Sequence, residues 1–374
     1  MGEGVTAAAP RRRTVLQGAL GLAVAGCGAP RAALRIGFLG GLSDRDAHFS
    51  REARDGALLA IEQANAAGGV RGRALQLVVQ DHGGPLHEAA AARRLIDAQV
   101  DAVVGPYTSA VALRLLPLFN AARVLLLSPT LSADSLMRRA DYLVCLNSST
   151  RESAQALAQL LLARRWRSLT VLRDMRNAEA TRPWSEAFAQ VFAAGGGTVA
   201  QQVDFGADGP PVFGDLAQRA LAVPVDGLLL LASSADTARL AQQVAQRARG
   251  LPLASTSWAA NPDLIELGGR SVEGLVLVQA FDEADRSPRY RALHADYLAR
   301  FGLAPSFAAA SSFDAVMVLA AALQRAAPGE SVRDAVLRHG PYQGVQQLLT
   351  IDRFGDTRRA VVASIVRNGR FAPL

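Results

Sequence analysis

The residues in this chain best suited to touch a small molecule are hydroxyls placed at the ends of apolar runs. Thr108 and Ser109 follow "VDAVVGPY", and Ser128, Thr130 and Ser132 close "RVLLLSPTLS". Ser233 and Ser234 close "VDGLLLLASS", Ser257 and Trp258 close "LPLASTSW", and Asp174 ends "SLTVLRD". Hydroxyls donate and accept hydrogen bonds without carrying charge, so such a set suits binding better than proton transfer or nucleophilic attack. Each one alone reads as a turn or cap residue. Their recurrence at one topological place makes a pocket the better reading. Thr108 and Ser109 stand just before a helical pattern, "SAVALRLLPLF", and a helix start offers free N–H groups and a positive dipole end to an anion.

Catalytic sets are not evident. "GFLGGL" has the wrong glycine spacing for a dinucleotide, and the chain has no lysine for a phosphate loop. No G-x-S-x-G elbow occurs, and "HEAAA" at His87 lacks the second histidine of a zinc helix. Asp81, His82 and His87 are the best metal candidates, but they read as a surface cluster. The sequence therefore predicts a protein that is not an enzyme and uses no cofactor or metal. All 40 basic side chains are arginine and the net charge is +7. Acids are interspersed among them, so the continuous basic face of a nucleic-acid binder is not expected.

Positioning those strand ends requires alternating strands and helices. Leu34–Leu39 reads as a buried strand and "REARDGALLAIEQANAAGG" as a helix stopped by Gly68-Gly69. Strand and helix then alternate twice more. "RVLLLSP" closes this first run, Pro117 is expected to kink the helix before it, and the alternation restarts after Thr150. Apolar strands alternating with helices imply βα units around parallel sheets, here as two doubly wound lobes separated near Asn147–Thr150. The tail "YQGVQQLLTIDRFGDTRRAVVASIVRNGRF" reads as antiparallel strands around a Gly-Asp turn.

The first 26 residues read as a leader. Arg12-Arg13-Thr14-Val15-Leu16-Gln17 resembles a twin-arginine export signal, and the apolar stretch Val15–Ala25 is too short to span a bilayer. Val24-Ala25-Gly26-Cys27 resembles a bacterial lipobox, which makes Cys27 the expected lipidation site, with 27–33 as a linker. Gly28 after it gives no inner-membrane retention signal. No second apolar run is taken to approach membrane-spanning length. Cys145, in "DYLVCLN", is expected to be a buried free thiol.

"RDGALLAIEQANAAGGVRGRALQLVVQD", "VVGPYTSA", "LLLSPTLSADSL" and "YQGVQQLLTIDRFGD" together resemble the branched-chain amino acid/amide family of ABC-transporter solute-binding proteins, collinearly from about Leu34 to the C-terminus. The resemblance implies an α/β type I periplasmic-binding fold of two Rossmann-like lobes joined by three crossovers. Lobe 1 would comprise 34–147 and 282–344, and lobe 2 would comprise 148–281 and 345–374. With the lipid anchor expected at Cys27, it also implies a periplasmic monomer that carries a small-molecule ligand to membrane permeases. The family's carboxylate-binding serine falls on Ser109, neighbouring backbone donors on Tyr107 and Thr130, a second hydroxyl on Ser132 and an aromatic wall on Phe49.

Two departures bear on the ligand. Amino-acid binders of the family usually place a tyrosine before the second-lobe helix, where this chain has Ala180, and an ammonium-pairing acid where it has Ser257 and Trp258. An amino acid, an amide and an aromatic or other organic carboxylate all stay open. So does a second role for the same fold, a ligand-sensing lipoprotein acting on a membrane partner.

Overall fold

The protein is described from a computed structural model, which defines residues 1, 2, 4, 32–43, 47–84 and 86–374. Most of the expected leader, and the expected lipidation position Cys27, lie outside the described residues.

The first sheet runs in the order β2 (Leu75–Asp81), β1 (Leu34–Gly40), β3 (Ala102–Val104), β4 (Leu125–Ser128), β5 (Leu143–Cys145), and every pairing is parallel. Its strands are apolar throughout because helices cover both faces. Ile36 and Phe38 turn toward α1 (Ala47–Ala66) and α10 (Phe307–Arg325). Leu39 and Val103 turn the other way, toward α2 (Glu88–Asp97) and α3 (Ser109–Ala122). Asn65 explains part of the segment that carried the family resemblance. Its side chain bonds both the N–H and the carbonyl of Leu75, pinning the end of α1 to β2. The helix continues past Pro117 to Ala122.

The second sheet contains five parallel strands, β7 (Thr198–Phe205), β6 (Ser168–Asp174), β8 (Gly227–Leu231), β9 (Leu253–Thr256) and β10 (Val276–Gln279). It is completed by the antiparallel pair β13 (Val362–Arg367) and β14 (Arg370–Pro373). Successive leucines of β8 alternate between its faces. Leu228 and Leu230 pack with α6 (Phe213–Ala220), α7 (Ser234–Arg247) and α8 (Pro262–Gly268), while Leu229 and Leu231 pack with α4 (Thr150–Ala163) and α5 (Ala178–Ala194). Helices α9 (Pro288–Phe301) and α11 (Val332–Arg338) return to the first lobe.

Three expectations are corrected. Residues 345–357 belong with the first lobe. Val345, Leu349 and Ile351 sit in its core, the hairpin β11 (Tyr342–Gln343) and β12 (Leu348–Leu349) adjoins α10, and Cys145 pairs with Asp356. The chain therefore crosses to the second sheet after Thr357. The Gly355-Asp356 turn carries only an Ile351–Thr357 bridge, and the regular antiparallel ladder forms across Asn368-Gly369. Finally, Phe307–Arg325 is long and apolar enough to span a membrane, yet most of it is buried as the core helix α10. Cys145 is a buried free cysteine whose thiol pKa is pushed up by burial.

Candidate functional site

The carboxyl ends of the parallel strands in both sheets face one cleft, with about 850 Å³ of empty volume. On the first-lobe side the turn after β3 is shaped by Gly105. Its φ of 111° and a hypothetical Cβ only 2.3 Å from the Leu39 carbonyl leave no room for a side chain. Ser128 lies beneath this turn and donates to the Pro106 carbonyl at 2.6 Å, while Thr130 donates to the Tyr107 carbonyl at 2.8 Å. Tyr107 bonds Ser312 Oγ at 2.9 Å, burial pushes its phenol pKa up, and its ring packs against Phe38 and Phe49.

These braces present the start of α3. Thr108 is its N-cap but makes no capping bond with its side chain; the Ala110 N–H goes instead to Asn177 Oδ1 at 3.3 Å. Ser109, 2% exposed, accepts from the Ala133 N–H at 3.3 Å, and its hydroxyl proton has no acceptor among the described residues. A buried O–H in that condition is a donor waiting for a partner.

The second lobe supplies aromatic and amide groups. Trp184, on α5, stacks on Phe188 and gives its indole N–H to Ser153 Oγ at 3.0 Å, so its remaining surface toward the cleft is apolar. Trp258 and Ser257 follow β9, Ala180 and Thr181 lie on α5, and Asn177 lies in the turn before it. The crossovers form the floor. Asn147 donates to the Thr130 carbonyl at 3.1 Å. Ser148 is clasped by Arg359, accepting from its N–H at 2.7 Å and donating to its carbonyl at 2.9 Å. Among the described residues, none with a charged side chain lines this cleft.

Of the residues singled out in the sequence, Phe49, Tyr107, Thr108, Ser109, Thr130, Ser132, Ala180, Ser257 and Trp258 line this cleft. Four others do not line the cleft. Ser128 is consumed as a brace. Asp174, Ser233 and Ser234 line a wider adjoining cavity between the lobes. Asp174 is held by the N–H and guanidinium of Arg176, which also bonds Asp236. Burial works against the Arg176 charge, but the two carboxylates outweigh it and keep the guanidinium protonated. Neither acid is free for a ligand ammonium. Ser233 caps α7, accepting from the Asp236 N–H. Sequence reasoning missed Asn147, Ser148, Asn177, Trp184 and Gln279, which reach the cleft from crossovers, from the α5 region and from the end of β10.

A family model for periplasmic binding proteins matches residues 33–366. The Leu/Ile/Val-binding protein BraC3 of Rhizobium johnstonii is 25% identical over 299 residues, covering 79% of this chain and 80% of that protein. The fold is similar to that of the leucine-binding protein LivK of Thermotoga maritima, with TM-score 0.83 and 23% identity over 91% of this chain and 98% of that one. It is equally similar to a solute-binding protein of Rhodopseudomonas palustris solved with 3,4-dihydroxybenzoic acid, with TM-score 0.83 and 17% identity over 92% and 96% of the two chains. With two parallel sheets facing one cleft and a family match across nearly all the described residues, the chain belongs to the periplasmic binding protein family and has its type I fold.

Proposed function

We propose that this protein is the extracytoplasmic solute-binding component of an ABC importer, anchored to a membrane through lipidated Cys27. We further propose that its ligand is a small organic acid or amide with an aromatic or similarly apolar body and no free ammonium. One observation carries the ligand class: the described lining of the cleft is hydroxyl, amide and aromatic, without a charged side chain. A buried ammonium there would have no carboxylate partner, and an unpaired buried charge is costly. A carboxylate is served by the Ser109 hydroxyl and by the positive dipole end of α3, which need no cation. Trp184, Trp258, Phe49 and Phe307 offer flat apolar surface to the rest of the molecule.

The Rhodopseudomonas protein solved with a hydroxylated benzoic acid agrees with this ligand class, whereas BraC3 is named for amino acids, the class it excludes. A thermal-shift screen decides between them, using leucine, isoleucine, valine, benzoate, 4-hydroxybenzoate and benzamide at up to millimolar concentration. A ligand at a thousand times its Kd adds about 4 kcal/mol of stability. Stabilisation by the acids or the amide and not by the amino acids is the expected result. Tight binding of leucine, isoleucine or valine overturns the ligand class.

A further inference from the structure

Asn177 belongs to the turn after β6 on the second lobe, yet its side chain reaches the first. Its Oδ1 accepts from the backbone N–H of Ala110, 3.3 Å away in the first turn of α3. A backbone N–H can only donate, so this bond decides which end of the amide faces α3: the oxygen. The Nδ2 group has no hydrogen bond to any described residue, although Asn177 is only 9% exposed and lines the cleft. Two hydrogens of a residue nine-tenths buried are thus left without acceptors, in the cleft that Ser109, with its equally unspent hydroxyl proton, also lines. One residue on each lobe offers a donor, and neither offers a carboxylate.

We infer that Asn177 sets the charge specificity of the closed cleft. Its carbonyl oxygen latches the second lobe to α3, and its amide N–H donates, with Ser109, to a carboxylate or carbonyl of the ligand. This rests on the proposed function in one respect, that a small solute is held in this cleft. The latch makes the donor conditional on closure, because the amide is turned toward the ligand only while Ala110 holds its oxygen. A ligand presenting an ammonium to the same point meets N–H and O–H donors and no carboxylate, and is refused.

Asn177→Asp separates the two roles, since a carboxylate keeps the acceptor for Ala110 and removes the donor. Three probes of similar shape read the result by calorimetric titration on the full chain: benzoate, benzamide and benzylamine. Asn177→Asp is expected to weaken benzoate by a hundredfold or more, to weaken benzamide by roughly tenfold, and to gain measurable binding of benzylamine. Asn177→Ala, which loses latch and donor together, is expected to weaken benzoate and benzamide without gaining benzylamine. Thermal melting of each variant alone, within a few degrees of wild type, shows that the fold is intact. Unchanged benzoate and benzamide affinity in Asn177→Asp overturns the inference and leaves the proposed function standing. Failure of wild type to bind either probe overturns the ligand class and the inference with it.

Discussion

The Ser109 oxygen already takes the Ala133 N–H, so its own proton is available to a ligand and to nothing else described in the protein. Ser109→Ala is therefore expected to weaken benzoate binding by roughly ten- to a hundredfold, as for the loss of a hydrogen bond to a charged group. It should also lower stability by about 1 kcal/mol, because the buried Ala133 N–H loses its acceptor. Titration and melting of the same variant separate these effects, and near-normal affinity with a lowered Tm would make Ser109 only a brace. The residue type was readable in the sequence because a hydroxyl at a helix start needs no neighbour to suggest its use. Asp174 misled for the opposite reason. Its partner Arg176, two positions on, consumes the carboxylate in a local ion pair that strand-end position alone does not reveal. Asn177 was invisible because its significance comes from Ala110, on a different lobe.

Alternating apolar runs gave the parallel strands and their helices close to their observed limits, since strands buried on both faces leave a continuous apolar signature. The crossovers left none. Gln346 bonds both the N–H and the carbonyl of Asp282, and Gln347 bridges the carbonyls of Ala280 and Ala360 while accepting from the Ala360 N–H. These two glutamines stitch neighbouring crossovers together. In the sequence they are only polar residues in an apolar tail, and the resemblance, which placed 345–357 in the other lobe, does not reveal their pairing. Helix pairing was equally hidden. A Cβ added to Gly56 on α1 would lie 2.1 Å from the Ala309 carbonyl oxygen on α10, a clash with backbone that no rotamer relieves. Gly56→Ala is expected to cost about 1–3 kcal/mol, read as a lowered denaturation midpoint with an unchanged m-value. A midpoint equal to wild type would mean that α1 and α10 separate freely.

At the scale of the molecule, the two lobes also meet through ionisable side chains. His48, on α1, lies 3.3 Å from Asp263 on α8 and 3.8 Å from Glu52. Burial pushes the Glu52 carboxyl from 4.5 up to about 7. The Ser306 hydroxyl and His48 pull it down, and Asp263 raises it further. Because the folded value lies above the unfolded one, the native protein holds a proton that the unfolded chain has released between those pH values. Stability therefore falls as pH rises from about 4.5 to about 7, by on the order of 3 kcal/mol from this group. Glu52→Gln is expected to flatten that slope and to melt above wild type at pH 8; parallel Tm profiles would show that Glu52 titrates normally. Anchoring is a separate test, in which Cys27→Ala should move the protein from the membrane fraction to the soluble fraction after export, and a wild type already soluble would refute lipidation. The union of α1 with α10 also has a temporal consequence. The second sheet takes all its parallel strands from one continuous stretch, β6 to β10, whereas the first cannot bury Ala53, Ala57 and Ile61 until residues 307–326 have been made. During synthesis the first-made lobe must wait, half-built and with its apolar faces bare, for the last third of the chain. Contacts so far apart in sequence form slowly. Residues 34–66, made early, are thus among the last to be protected from hydrogen exchange, and they are where a chaperone has most to cover.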